Sequence, residues 1–148
     1  MTGHAAEIVY VACPYSDPDS AVQERRFQQV NEFCAGLCRD GLVVFSPISH
    51  THPIAQYGLP KDWDFWQRFD RAYLAVCSRM IVYCLPGWRE SKGVQEEIAV
   101  MKEMGKLVEL FPDRTQKVDD MLQQLRDAGL SAWDAIDDPE EYIRELRE

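Results

Sequence analysis

The chain has 148 residues, 46% of them hydrophobic and 28% charged, with a formal net charge of −9 at pH 7. That length is read as one domain over residues 1–148, large enough to bury a sizeable core, and the composition excludes disordered and collagen-like classes. The negative charge argues against a nucleic-acid polymer as partner, because phosphate backbones are held by clustered Lys and Arg, but it does not exclude a small anion at a helix N-terminus. No apolar run approaches the roughly 20 residues of a bilayer span, and MTGHAAEIVYVAC lacks the basic start and small-residue cleavage site of a signal peptide. The expectation is therefore a cytoplasmic protein with no membrane partner. Cys13, Cys34, Cys38, Cys77 and Cys84 are odd in number and include no CxxC pair, so reduced and mostly buried thiols are expected.

The apolar run IVYVAC (8–13) predicts a first strand, and PYSDPDS after it a turn. A helix follows, carrying Val22, Val30, Phe33, Cys34 and Leu37 at three- and four-residue spacing and closed by Gly41. LVVFSP (42–47) is a second β-branched run, and SHTHPIAQYGLP reads as a long loop. Residues 62–78, DWDFWQRFDRAYLAVCS, predict a helix with Trp66, Phe69, Tyr73 and Val76 on one stripe, and RMIVYCL (79–85) a third strand. After PGWRES, a helix from about Lys92 to Met104 ends at Gly105, and KLVELF (106–111) is a fourth strand. In the tail, VDDMLQQLRDAG (118–129) has an amphipathic helix pattern, SAWDAI is a candidate fifth strand and DPEEYIRELRE a last helix. Strands that are apolar on both faces and alternate with helices imply a doubly wound, flavodoxin- or Rossmann-like α/β fold. Its parallel sheet would have four to five strands, with helices on both faces.

In such a sheet, ligands bind at the carboxyl ends of the strands, near the point where strand order reverses. Those ends lead into CPYSD, SPISHTH and PGWRES, so the polar residues of three loops are expected to converge. On a helical wheel with Val94 at 0°, Ile98 falls at about 40°, Met101 at about 340° and Glu97 at about 300°, whereas Glu96 falls at about 200°. Glu97 is thus the member of the Glu96-Glu97 pair that turns toward the protein. Asp70 lies among Trp66, Phe69 and Tyr73 on the aromatic face of its helix. Two carboxylates on neighbouring helices near one strand edge suit glycosidic-bond cleavage, one attacking the anomeric carbon and one managing a proton. The alternative for each is a structural acid satisfied by an Arg or a backbone N–H. His50 and His52 lack a third metal ligand and are read as lining the pocket, with His50 taken into the site. Tyr15, Ser16, Trp88, Ser91 and Gly93 complete it with aromatic walls, hydroxyls and the start of a helix; Trp88 after Pro-Gly also suits a cap on the core, and Ser91 a helix N-cap.

YVACPYS at the first strand, FSPISHTHPI at the second, D-x-x-Y-L from Asp70 to Leu74, and S-x-G-V-x-x-E-I from Ser91 to Ile98 followed by G-K-L-V from Gly105 to Val108 together resemble the nucleoside 2-deoxyribosyltransferase superfamily, over roughly residues 7–110. The likeness is to its small single-domain bacterial branch. The resemblance implies Glu97 as the nucleophile on the sugar C1′ and Asp70 as the acid that positions sugar or base and handles the proton. It also implies a homo-oligomer whose neighbouring copy can complete the site. Base-exchanging members usually carry an Asp six residues before the nucleophile. Ser91 stands there in this chain, as in relatives that hydrolyse nucleoside 5′-monophosphates and turn that serine toward the phosphate, which makes a nucleotide the more attractive substrate, although their glycine-rich first loop is replaced by CPYSDPDS.

The expected activity is cleavage or transfer at the N-glycosidic bond of a nucleoside or nucleoside 5′-monophosphate, a hydrolase or transferase of nucleotide metabolism. Glu97 would attack C1′, and water or an acceptor base would resolve the ester. No metal or organic cofactor is implied. The competing expectations are a nucleotide-binding sensor or interaction domain without turnover, and cleavage of NAD at its nicotinamide bond.

Overall fold

The computed structural model describes residues 6–112 and, beyond them, residues 123, 127 and 129. Strands β1 (Ile8–Ala12), β2 (Val43–Phe45), β3 (Arg79–Cys84) and β4 (Val108–Pro112) form one sheet in the order β2-β1-β3-β4. Helix α1 (Ser20–Arg39) joins β1 to β2, α2 (Pro47–Ala55) and α3 (Trp63–Val76) lie between β2 and β3, and α4 (Lys92–Glu103) joins β3 to β4. All pairings are parallel. Ile8 to Tyr10 lie opposite Val43 to Phe45, and Val9 to Ala12 lie opposite Arg79 to Val82. The Met80 N–H donates to the Leu107 carbonyl at 2.9 Å just ahead of β4. The chain thus steps outward from β1 to β2, then returns past β1 to β3, and strand order reverses between β1 and β3.

The two-residue period of the strands sorts their side chains between two cores. Tyr10, Ala12, Met80, Val82 and Cys84 face α3 and α4, where they meet Leu74, Val94, Val100 and Met101. Val11, Cys13 and Leu85 face the other way, onto Val30 and Cys34 of α1 and Ile48 of α2. With both faces covered, β1 is buried along Val9–Ala12, which is why its sequence shows no polar alternation. The fold is the doubly wound parallel α/β architecture expected.

The helix starts follow from their caps. Asp19, Ser46, Asp62 and Ser91 sit in extended conformation ahead of α1, α2, α3 and α4, each accepting a backbone N–H of the first turn with its side chain. Gly41 (φ +89°) and Gly105 (φ +69°) follow the ends of α1 and α4 in the left-handed region, where a side chain would be strained.

One element differs from expectation. Residues 47–55 are helical and not a loop. Pro47 stands at the first helical turn, where its missing N–H is no loss, and Thr51 donates from Oγ1 to the Pro47 carbonyl at 2.8 Å. Pro53 lies inside the nine-residue helix, where it lacks the N–H for a backbone hydrogen bond. β2 is correspondingly shorter than the run 42–47, because Ser46 already serves as the cap of α2.

By internal contacts the chain divides into two units, Met1–Phe111 and Pro112–Glu148. In the second, Gln123 and Asp127 are helical, and Gln123 Nε2 donates to Asp127 Oδ1 at 2.9 Å, the spacing of one helical turn. The fifth strand at SAWDAI and the last helix at DPEEYIRELRE fall outside the described residues.

Leu74 is fully buried between α3 and the sheet. Leu74→Ala is expected to destabilise the fold by about 2–5 kcal/mol, read as a lowered midpoint in urea unfolding.

Candidate active site

A cavity of about 380 Å³ opens at the carboxyl edge of the sheet, at the reversal between β1 and β3. Cys13, Tyr15 and Ser16 reach it from the end of β1; Pro47, Ile48, Thr51, His52 and Ala55 from α2; Trp63, Trp66 and Asp70 from α3; and Ser91, Gly93, Val94 and Glu97 from the start of α4. Its size lies within the range of small-molecule sites.

The two acids project into this cavity from α3 and α4, helices that pack on each other over the same face of the sheet. Both are 6% exposed. Burial pushes Asp70 up to about 7, and it pushes Glu97 well above the usual carboxylate range, with the nearby Asp70 charge adding to the effect. The wheel's distinction between the two glutamates is reproduced, since Glu97 is buried while Glu96 is half-buried.

Beneath Glu97 lies Tyr10 of β1, fully buried. The phenol favours the ionised form of Glu97, and Glu97 in turn joins burial in raising the phenol. The two sit close, but no hydrogen bond of good geometry joins them: Tyr10 Oη and Glu97 Oε2 are both buried without a partner. A buried carboxylate oxygen without a partner is costly in a folded protein and marks a place where a ligand can supply the missing contact.

On the opposite wall a hydrogen-bonded chain runs from α1 through α2 to the β1 loop. Glu24 Oε2 accepts from His52 Nε2 at 2.7 Å, and Tyr15 Oη lies 2.5 Å from His52 Nδ1. His52 is 7% exposed and stacks on Phe27 with ring centroids 4.2 Å apart. The Glu24 carboxyl is held below its ordinary range by hydrogen bonds from Gln28 and His52.

Arg26 of α1 ties two site loops together. Its Nη1 donates to the carbonyls of Tyr15 (3.3 Å) and Ser16 (3.1 Å), and its Nη2 donates to the Pro86 carbonyl at 3.2 Å. The loops after β1 and β3 are thereby held at one spacing.

Of the residues assigned from sequence, Tyr15, Ser16, Asp70, Ser91, Gly93 and Glu97 all line the cavity. Ser16 Oγ donates to the Lys61 carbonyl at 3.4 Å, and Ser91 Oγ accepts from Val94 N at 3.3 Å as the cap of α4. A Cβ on Gly93 would meet Trp63 Cε3 at 3.7 Å, an ordinary contact, so packing does not enforce glycine there. His50 and Trp88, also assigned from sequence, do not line the cavity. Residues two positions apart on a helix differ by about 200°, so when α2 turns His52 inward it turns His50 outward, where it is exposed beside Tyr73 and Phe45. Trp88 packs against the core under α4, with Arg89 over its ring.

Sequence reasoning did not assign Tyr10, Glu24, Arg26, Lys61, Trp63 or Trp66 to the site. Trp66 is anchored by its Nε1 donating to the Pro60 carbonyl at 2.7 Å, and Lys61 donates from Nζ to Gln23 Oε1 at 3.4 Å. A clue for Tyr10 lay in the strand: a phenol inside an otherwise apolar, doubly covered run needs a polar neighbour.

Fold and site together define a parallel α/β protein with a paired-carboxyl cavity at its topological switch point. The sequence matches the domain-of-unknown-function family DUF1937 over residues 7–113, and the chain belongs to that family. No curated protein matches it. Among the described residues no helix is long and apolar enough to cross a membrane, and no group of three or more His, Cys, Asp or Glu is placed to hold a metal ion.

The raised acids make stability depend on pH. Unfolded, Asp70 loses its proton near pH 4, whereas folded it holds it to about 7. Between those values the folded state binds more protons, so unfolding free energy falls as pH rises, and the destabilisation is complete above about 7. Urea midpoints should therefore decline from pH 5 to pH 8, and Asp70→Asn should flatten the decline while raising stability at pH 8 by about 1–3 kcal/mol.

Proposed function

We propose that this protein cleaves or transfers at the N-glycosidic bond of a nucleoside or nucleoside 5′-monophosphate, with Glu97 as nucleophile and Asp70 as the proton-handling acid. The observation that carries the reading is the pairing of two buried, raised carboxyls in one cavity, one of them with an unpartnered oxygen. Glu97 must give up its proton before it attacks, a loss the nearby Tyr10 phenol favours, and a carboxyl that titrates near 7 suits proton transfer at neutral pH.

In the first step, Glu97 attacks C1′ as the bond to the base breaks, and Asp70 gives its proton to the departing base nitrogen. In the second, water or an acceptor base displaces the Glu97 carboxylate from C1′, and Asp70 takes the proton back. Trp63 and Trp66 offer flat apolar walls for a base or sugar.

The charge of the wall favours an uncharged nucleoside over its 5′-monophosphate. Apart from the two raised acids, Asp62, Asp64 and Glu90 stand against Lys61 and Lys92, and Lys92 Nζ already pairs with Asp64 Oδ1 at 3.3 Å.

Two outcomes are expected when free base is measured by chromatography after incubation with nucleosides, nucleoside monophosphates and NAD. Glu97→Ala should lose turnover by a factor of about a thousand or more, the loss of a covalent nucleophile, while Glu96→Ala stays within a few-fold of wild type. Full activity in Glu97→Ala, or no base released from any substrate by the wild type, overturns the reading. Nucleosides should also be cleaved with kcat/KM at least several-fold above that of their 5′-monophosphates, a ratio set by like-charge repulsion in the cavity. A monophosphate preference that Ser91→Ala removes would instead place a phosphate site at the start of α4.

A further inference from the structure

The Glu24–His52–Tyr15 chain plays no part in the two-acid chemistry, yet it ends in the same cavity. A carboxylate only accepts hydrogen bonds, so the 2.7 Å contact to Glu24 Oε2 puts a proton on His52 Nε2. In the neutral Nε2–H tautomer the other nitrogen, Nδ1, is a bare acceptor, and the Tyr15 hydroxyl 2.5 Å away donates to it. In that tautomer the only proton of Tyr15 Oη is committed to His52, and the hydroxyl offers the cavity lone pairs and no donor.

The arrangement is held from every side. His52 is sandwiched between the stacked Phe27 ring and the edge of Tyr15, and the Tyr15 carbonyl is gripped by Arg26. Gln28 Nε2 donates to Glu24 Oε1 at 3.0 Å, fixing the far end of the chain.

We propose that Tyr15 is a specificity-determining residue, a fixed hydrogen-bond acceptor that selects substrates carrying a donor at that point, either a sugar hydroxyl or an exocyclic amine of the base. His52 and Glu24 are positioning residues that act through it. The proposal rests on the nucleoside reading above and deepens it by naming what the substrate must carry. An analogue lacking that donor leaves Tyr15 facing it with an unpaired buried acceptor, which is the costly direction of hydrogen-bond loss.

The test is titration calorimetry on the full chain carrying Glu97→Gln, so that bound probe is not consumed. The probes are adenosine, its 2′-deoxy, 3′-deoxy and 5′-deoxy analogues, and purine riboside, which lacks the amino group. Against Tyr15, one analogue should bind about tenfold or more weaker than adenosine, and in Tyr15→Phe that difference should shrink to about twofold or less. Loss on a deoxy analogue identifies a sugar hydroxyl, and loss on purine riboside identifies the base amine. Probes that bind with the same differences in both backgrounds, or with no differences at all, overturn the proposal and leave the nucleoside reading standing. Failure of every probe to bind brings down the nucleoside reading itself, and the proposal with it.

Glu24→Ala, at a half-exposed side chain on α1, serves where Tyr15→Phe does not fold. It should relax discrimination several-fold and shift the His52 imidazole ¹⁵N resonances away from the Nε2–H tautomer. Unchanged discrimination with an unchanged tautomer refutes the positioning role of the chain.

Discussion

The site depends on the burial of Glu97 with its own Oε2 unpartnered. A carboxyl in that position would ordinarily be paired or replaced, because burial disfavours its charged form and the nearby Tyr10 phenol offsets only part of that. Here the first turns of α4 lie over the end of the sheet with Val94, Val100 and Met101 locked into the core, so the side chain between them has no route to water except through the cavity. The Asp70 carboxyl, brought in on the neighbouring helix α3, adds like charge and raises Glu97 further. The strain of the pair is carried by the packing around it, the usual relation between a scaffold and a functional site.

The parallel sheet places this pair where a ligand can reach it. Strand order reverses between β1 and β3, so the connections leaving those two strands part to opposite faces and leave a crevice between them. α3 and α4 bring acids and tryptophans to one side, and α1 and α2 bring the Glu24–His52–Tyr15 chain to the other. Arg26 bridges the crevice at its rim by donating to carbonyls of both loops, and a guanidinium suits that task because its fork serves several acceptors at once. The cavity therefore has an acid wall and an acceptor wall, each braced by a different layer of the fold.

Much of this was legible from residue order. The β-branched runs, helical spacing, capping residues and closing glycines located every described element except α2, and the wheel separated Glu97 from Glu96 because Val94, Ile98 and Met101 mark the inward face. α2 was missed because two prolines, Pro47 and Pro53, bracket a short polar segment that has the composition of a loop; the signal for a helix, Ser46 as cap and Pro47 in the first turn, was present but spans too few residues to show a period. That single misreading carried over to the site, since choosing between His50 and His52 requires knowing that the backbone there is helical.

What the sequence alone determined is what local periodicity encodes: the alternation of strand and helix, the doubly covered sheet and the inward direction of Asp70 and Glu97. What only the tertiary structure decided is which distant residues meet. Tyr10 under Glu97, Glu24 on His52 across 28 positions, and Arg26 on the loop at Pro86 across 60 are contacts between elements that share no register in the chain. A residue's period fixes the face it presents, but its partner is set by how helices pack over a twisted sheet, and that packing is a property of the whole core.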